Sequence, residues 1–350
     1  TAEWIEQVSS ELHYNDKNLI EKVIRALSLL EMLVKAGSPL VFKGGTALML
    51  ILGKSAHRLS IDIDLICPPG TNIEDYLKSF ADFGFINLEL VERKQRDDAD
   101  IPKSHSKFFY QIAYRNDTDA QSYILLDVLY EDIHYFRTQQ IAINCPFIRL
   151  EGKPLMVTVP SAEDILGDKL TAFAPNTTGI PYYKNGRSCS MEIAKQLYDV
   201  GRLFENVSDL QITKEAFRKI AVVELSYRSF GTDIGQVFND IRQTALCIST
   251  RGKAGEGDFD LIQDGIIRVK SFMYKQRYLI DHAIIDAARA AYLATLIEKG
   301  INEIESYSNN PADIKDMVIR PSLPNKLNKL RSNLPEAYYY WAKTSELLEA

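Results

Sequence analysis

The chain has 350 residues, 46% of them hydrophobic and 25% charged, with a formal net charge of −6 at pH 7. These proportions exclude a disordered or collagen-like chain, and at roughly 100–200 residues per domain the length favours two domains. The balance of 41 basic against 47 acidic residues excludes a protein that coats nucleic acid through bulk positive charge, so any such contact must be local.

Four cysteines, Cys67, Cys145, Cys189 and Cys247, show no CxxC spacing. That argues against a zinc site or a disulfide framework and suits a reducing cytoplasm, the expected location. The first residues, TAEWIEQVSSELHYND, lack the order of a signal peptide. No apolar run reaches the roughly 18 residues that a membrane span needs.

Residues 17–36 place Ile20, Val23, Ile24, Leu27, Leu30, Leu33 and Val34 at helical spacing, and Gly37 ends the pattern. Leu40-Val41-Phe42, the turn Lys43-Gly44-Gly45-Thr46 and the apolar ALMLIL read as strand, tight turn and helix. Residues 58–66, RLSIDIDLI, alternate: Leu59, Ile61, Ile63 and Leu65 face one way, Ser60, Asp62 and Asp64 the other. Period two predicts a half-buried strand. Further strands are expected at 85–92, 107–115, 122–130 and 141–149, with a helix near 72–82. From Pro160 the pattern turns helical, opening with a Ser161 cap, over 190–205, 213–225, 233–248, 258–299 and 334–349, with a loop at 175–188. The expected architecture is α+β: an α/β domain over residues 1–155, then a helical domain over 156–350.

The chemistry concentrates at 43–64. Backbone N–H groups at a helix N-terminus, reached through glycines, cradle phosphate oxygens. This marks Lys43, Gly44, Gly45 and Thr46 as nucleotide-binding, with the Thr46 hydroxyl as an added donor and Ser60 as another on the strand face. Two carboxylates at i and i+2 on a strand point the same way, so Asp62 and Asp64 can ligate Mg²⁺, or Mn²⁺ in its place. Phosphates beside a carboxylate-held metal are what nucleotidyl transfer requires. The bland alternatives are a plain turn and a solvated strand face. Two like charges on one face, with only Ser60 beside them, favour a cation between them.

KGGTAL followed by HRLSIDIDL resembles the nucleotidyltransferase superfamily of DNA polymerase β type. Within it, the pattern is similar to the AbiEii/AbiGii toxin branch of type IV toxin–antitoxin systems, which includes the MenT tRNA nucleotidyltransferases. Gly45-Thr46 and the fifteen residues before Asp62 (47–61) suit that branch better than the general motif. The resemblance implies a polymerase β-type domain with a mixed sheet and flanking helices, and a third carboxylate on a later strand. Asp127 in SYILLDVLY fits, with Asp132 as its rival; it would join Asp62 and Asp64 at the metal and assist deprotonation. GDKLTA matches the branch's Asp-Lys-Leu element and assigns Lys169 to the triphosphate, against the bland alternative of a surface ion pair. KQLYDVGRL resembles its DLYDL element, with Gln196 in place of the first acid and Asp199 matching the second; Asp199 would orient Lys169 or the acceptor.

The resemblance spans roughly residues 38–205. It implies an NTP substrate, a tRNA 3′ end as acceptor, an antitoxin partner and a role in abortive infection. Two other readings stay open: a non-catalytic nucleotide-binding module, and a transferase acting on a protein hydroxyl or a small molecule. Arg58 and the five histidines carry no assignment. Residues 311–331 hold five basic and two acidic side chains, and KSFMYKQRY at 270–278 interleaves cations with aromatics. Both are candidate RNA contacts, although a helix with one apolar face explains the second equally well.

Overall fold

The computed structural model describes residues 1–90, 103–114, 120–207, 209–228, 231 and 233–350. They form two compact units, one of Thr1–Ser161 with Ser271–Arg277, the other of Ala162–Lys270 with Tyr278–Ala350.

The first unit opens with helices α1 (Ala2–Glu11) and α2 (Lys17–Lys35). Asp16 caps α2 by accepting from the Leu19 N–H at 3.0 Å. The apolar face read from the sequence is buried, including Ile20, Val23, Leu27 and Leu30. Each such side chain contributes about 1.5–3 kcal/mol. The order strand, turn, helix follows as β1 (Val41–Lys43) and α3 (Gly44–Leu52). Strands β2 (Ile63–Cys67), β3 (Asn87–Leu90), β4 (Lys103–Gln111) and β5 (Gln121–Tyr130) complete a sheet of order β1-β2-β5-β4-β3. It is mixed: β2 and β5 run parallel, and the other neighbours run antiparallel. The core lies against one face, where Phe42, Ile63, Leu65, Phe108, Leu126 and Val128 are buried. A separate hairpin joins β6 (Thr138–Ala142) to β7 (Met156–Pro160).

Several boundaries differ from the sequence reading. The strand expected over 58–66 starts only at Ile63. Residues 57–59 pair instead with the inserted segment: Leu59 N–H donates to Phe272 O at 2.8 Å and Tyr274 N–H to His57 O at 3.0 Å. The Tyr274 hydroxyl also donates to Ala56 O, and its ring meets Phe147 edge-on at 5.1 Å. The apolar and aromatic residues at 272–274 are therefore packing groups of the first unit, and Tyr278 is buried in the second. These rings are not a stacking platform for bases. The expected helix near 72–82 is two 3₁₀ turns, Ile73–Tyr76 and Phe80–Phe83, the second closed by left-handed Gly84. Residues 91–92 and 115 of two expected strands lie outside the described residues. The strand expected at 141–149 is β6, displaced toward the N-terminus. Strand β7 carries the first unit to Ser161, six residues past 155.

The second unit is helical: α4 (Ala162–Ala172), α5 (Ser190–Phe204), α6 (Leu210–Tyr227), α7 (Ile234–Ser249), α8 (Phe259–Val269), α9 (Ile280–Lys299), α10 (Leu330–Asn333) and α11 (Pro335–Glu349). The single periodic stretch expected at 258–299 is thus split by residues 270–279. Helix α9 forms the centre, with Ala287, Ala288, Ala290, Ala291, Leu293 and Ala294 all buried as α7 and α11 pack on it. The small side chains permit that all-round approach. The α+β class expected from the sequence is the one observed.

Candidate active site

Two constraints build the glycine turn. Gly44 has φ +78°, in the left-handed region that favours glycine, and a Cβ there would stand 2.1 Å from Asp64 Oδ2. A Cβ on Gly45 would stand 2.7 Å from Ser60 Oγ and 2.9 Å from Arg58 Nη2. The side chains of Arg58, Ser60 and Asp64 therefore close over the turn, and only glycines leave them room. Arg58 is buried, so it is not a surface charge. Lys43, the N-cap of α3, supplies no side-chain bond to the helix start. The first-turn N–H groups of Gly44, Gly45 and Thr46 are those a helix leaves without an intrahelical acceptor, and they suit an anion.

Thr46 differs from expectation. Its hydroxyl donates to Asp62 O at 2.7 Å and its side chain is fully buried. The hydroxyl ties α3 to the chain just ahead of β2, so it is the Thr46 backbone N–H, not the hydroxyl, that suits an anion.

Four residues line up across the sheet. Lys43 pairs in register with Asp64, Asp64 with Asp127, and Asp127 with His105. Register partners project to the same face with Cβ atoms roughly 5 Å apart, so the Asp64 and Asp127 carboxylates are neighbours on the face opposite the core. Asp62 lies ahead of β2 and is exposed. Asp132, the rival to Asp127, lies beyond the end of β5 and is exposed.

His105 completes this row and was not singled out from the sequence. Its Nδ1 lies 2.5 Å from Asp127 Oδ1, with side-chain exposures of 11% for His105 and 38% for Asp127. The carboxylate accepts, so the bond assigns the proton to Nδ1. The signal was the β4–β5 hairpin register, which pairs 111 with 121 and hence 105 with 127; ligand spacing among histidines could not find it.

Lys169 and Asp199 come together within the second unit. Lys169 Nζ lies 3.0 Å from Asp199 Oδ2, with side-chain exposures of 9% and 2%. Gln196 Oε1 accepts from the same ammonium at 2.9 Å. A surface ion pair and an exposed helix acid are both excluded by this burial. Gln196, standing where the resembling motif has an acid, serves as a neutral acceptor in the same cluster.

Among the described residues, no group of three or more His, Cys, Asp or Glu side chains has metal-holding geometry. The triple Asp62, Asp64 and Asp127 is thus not drawn into a cluster. The pair Asp64 and Asp127 does fit Mg²⁺, which is commonly held by one or two carboxylates with substrate phosphates and water completing its shell.

A glycine turn opening a helix beside paired carboxylates on a mixed sheet is an arrangement that suits nucleotidyl transfer. The model of one family, nucleotidyl transferase AbiEii toxin of type IV toxin–antitoxin systems, matches residues 27–313, and the chain belongs to that family. Membership implies an NTP substrate and an antitoxin partner. The fold is similar to JHP933 from Helicobacter pylori, at 17% identity and a TM-score of 0.39, covering 82% of this chain and 92% of that one. It is also similar to MenT4, a nucleotidyltransferase toxin from Mycobacterium tuberculosis H37Rv, at 14% identity and a TM-score of 0.44, covering 84% and 89%. None of the curated proteins compared with the chain matches it.

Proposed function

We propose that this toxin transfers a nucleoside monophosphate from an NTP to the 3′ end of tRNA, with Mg²⁺ or Mn²⁺ bound, and releases pyrophosphate. The observation that supports it is the in-register pair Asp64 and Asp127 beside the Gly44-Gly45 turn, which Asp64 itself abuts. The backbone N–H groups of Gly44, Gly45 and Thr46 take phosphate oxygens, and Lys43 and Ser60 flank them. Asp64 and Asp127 would hold the metal, with phosphate and water oxygens completing its shell. Bound metal neutralises phosphate charge and polarises the reacting phosphorus.

The acceptor 3′ oxygen bonds to the α-phosphorus as the bond to the β-phosphate oxygen breaks, and Asp127 takes the hydroxyl proton. His105 holds Oδ1 of Asp127 and directs Oδ2 to that proton. Lys169 is assigned to the triphosphate: an ammonium has three donors, and Asp199 and Gln196 engage two. Asp199 is the positioning residue for Lys169.

The cytoplasm is the proposed compartment. All four cysteines are unpaired, and no helix among the described residues is long and apolar enough to cross a membrane. Growth arrest relieved by an antitoxin, as in abortive infection, is the proposed biological outcome.

The test is incubation of the full chain with each α-labelled NTP, Mg²⁺ and total tRNA, with Asp64→Ala in parallel. Label on tRNA in the native reaction alone is the expected result. Label on protein or small molecules instead overturns the tRNA acceptor, and NTP binding without turnover favours a regulatory module.

A further inference from the structure

The second unit holds a cleft of about 500 Å³ to which the reading above gives no task. Arg251, Lys253, Lys326 and Lys329 line it, and Asp281 is the one carboxylate among its described lining residues. All four cations are exposed. A chain with a net charge of −6 has thus concentrated positive charge on one concave surface.

The cations stand on a fixed frame. Arg251 and Lys253 sit on the glycine-rich turn TRGKAGEGD between α7 and α8. Thr250 Oγ1 accepts the Ala254 N–H at 2.9 Å. A Cβ on Gly255 would stand 2.4 Å from Gln243 O and 2.5 Å from Cys247 N, so the turn lies flush on the α7 backbone. Arg251 itself is held at φ +52°. Across the cleft, Lys326 Nζ donates to Lys253 O at 2.5 Å and links the turn to the 3₁₀ helix Asn325–Lys329. From there to α10, the sequence NKLNKLRSN holds three cations, three asparagines and no acid.

Of the apolar lining residues, Ile284 and Leu330 are buried and Leu334 is half-buried. Among its described residues the cleft has no aromatic anchor of the sort that dominates protein interfaces, and its exposed charged residues are four cations and Asp281. Around its apolar floor it presents four cations and the Asn333 amide. Phosphate esters in series match both, because cations displace the condensed counterions of a nucleic-acid backbone.

We propose that this cleft binds the phosphate backbone of the RNA acceptor. Lys253, Lys326 and Lys329 neutralise phosphates, and Asp281, 3.1 Å from Arg251, limits the fourth cation. The inference rests on the RNA reading of the acceptor, but its test needs no turnover.

The experiment is fluorescence anisotropy of the full chain with a labelled RNA hairpin bearing a single-stranded 3′ end, over roughly 50–200 mM salt. Lys253→Gln/Lys329→Gln keeps the Lys326 link. It is expected to weaken binding about tenfold near 0.1 M salt and to flatten the slope of log affinity against log salt by about two. Asp281→Asn frees Arg251; it is expected to tighten binding and steepen the slope by about one, a gain that misfolding cannot mimic. RNA affinity unmoved in both variants overturns the proposal, as does failure of the native chain to bind the hairpin. Poly-L-glutamate bound as tightly as RNA overturns the choice of ligand, and a parallel loss of ATP affinity in the double variant makes the cleft a free-nucleotide site instead. Salt-dependent RNA binding through these residues without label transfer to RNA contradicts RNA as the acceptor and leaves RNA binding by this cleft standing.

Discussion

His105 Nδ1 and Asp127 Oδ1 lie 2.5 Å apart on residues that face each other across β4 and β5. One carboxylate oxygen is thereby fixed, which restricts how the Asp127 carboxylate can turn. A side chain that orients a ligand or base in this way is typically worth 10–100-fold in activity. His105→Ala is expected to lower kcat by about that factor with little change in KM for NTP. His105→Asn, which keeps a donor near the Nδ1 position, should recover most of it. Steady-state kinetics separate the cases: a raised KM with unchanged kcat would instead make His105 a substrate contact.

Gly44→Ala tests the turn. The new Cβ would meet Asp64 Oδ2, and φ +78° is strained for alanine. Strain of about 1–3 kcal/mol is expected in chemical denaturation, with a loss of transfer larger than that destabilisation explains, because Asp64 must move. Activity retained in a folded Gly44→Ala chain would mean that Asp64 is not required where it stands.

The Lys169–Asp199 pair is nearly dry, so breaking it differs from replacing it. Asp199→Leu leaves a buried ammonium without its carboxylate, held by the neutral Gln196, and should cost about 3–5 kcal/mol. Lys169→Met/Asp199→Leu should cost much less. Denaturant midpoints compare the two. A double variant of near-native stability that no longer transfers would place Lys169 in the chemistry, whereas one that transfers normally makes the pair structural.

Glu21 gives a pH test of the frame under the site. It is buried on α2, and both its oxygens accept the Ala113 N–H at 3.1 Å, which ties the helix to the end of β4. Burial raises its pKa above the ordinary carboxyl value, with the Ala113 N–H and Arg25 partly opposing. A carboxyl raised in the folded state binds protons more tightly than in the unfolded chain, so its contribution to stability is greatest below the unfolded value and falls as pH rises through the folded one. Glu21→Gln keeps an acceptor and loses this dependence. Its stability relative to the native chain should therefore improve from about pH 4 to pH 7; a flat or declining difference contradicts the burial effect.

The local signals in the sequence were those whose cause is local. A strand that alternates in period two shows Asp64 and Asp127 as interruptions of apolar runs, and the glycine pair betrays a turn that excludes Cβ atoms. His105 gave no such signal, because its role comes from pairing between β4 and β5. The pairing of 57–59 with 272–274 was invisible for the same reason, and it moved the start of β2 to Ile63. The residues at 270–278 kept an apolar and basic pattern suited to a helix or an RNA contact, since burial of Tyr274 and Tyr278 follows from packing that periodicity does not encode. Thr46 was placed correctly at the turn, but the competing acceptor at Asp62 O decides where its hydroxyl points.

The central claim is that Asp64 and Asp127 together perform nucleotidyl transfer. Its most direct measurement is the single-turnover rate of label transfer from α-labelled NTP to tRNA for the native chain, Asp64→Asn and Asp127→Asn, each near-isosteric and checked for folding. The expected result is transfer by the native chain, a loss of about a thousandfold in Asp127→Asn, within the range assigned to general acid–base groups, and a comparably severe loss in Asp64→Asn, which removes a charge from the metal pair. Native-rate transfer by either variant would contradict the account.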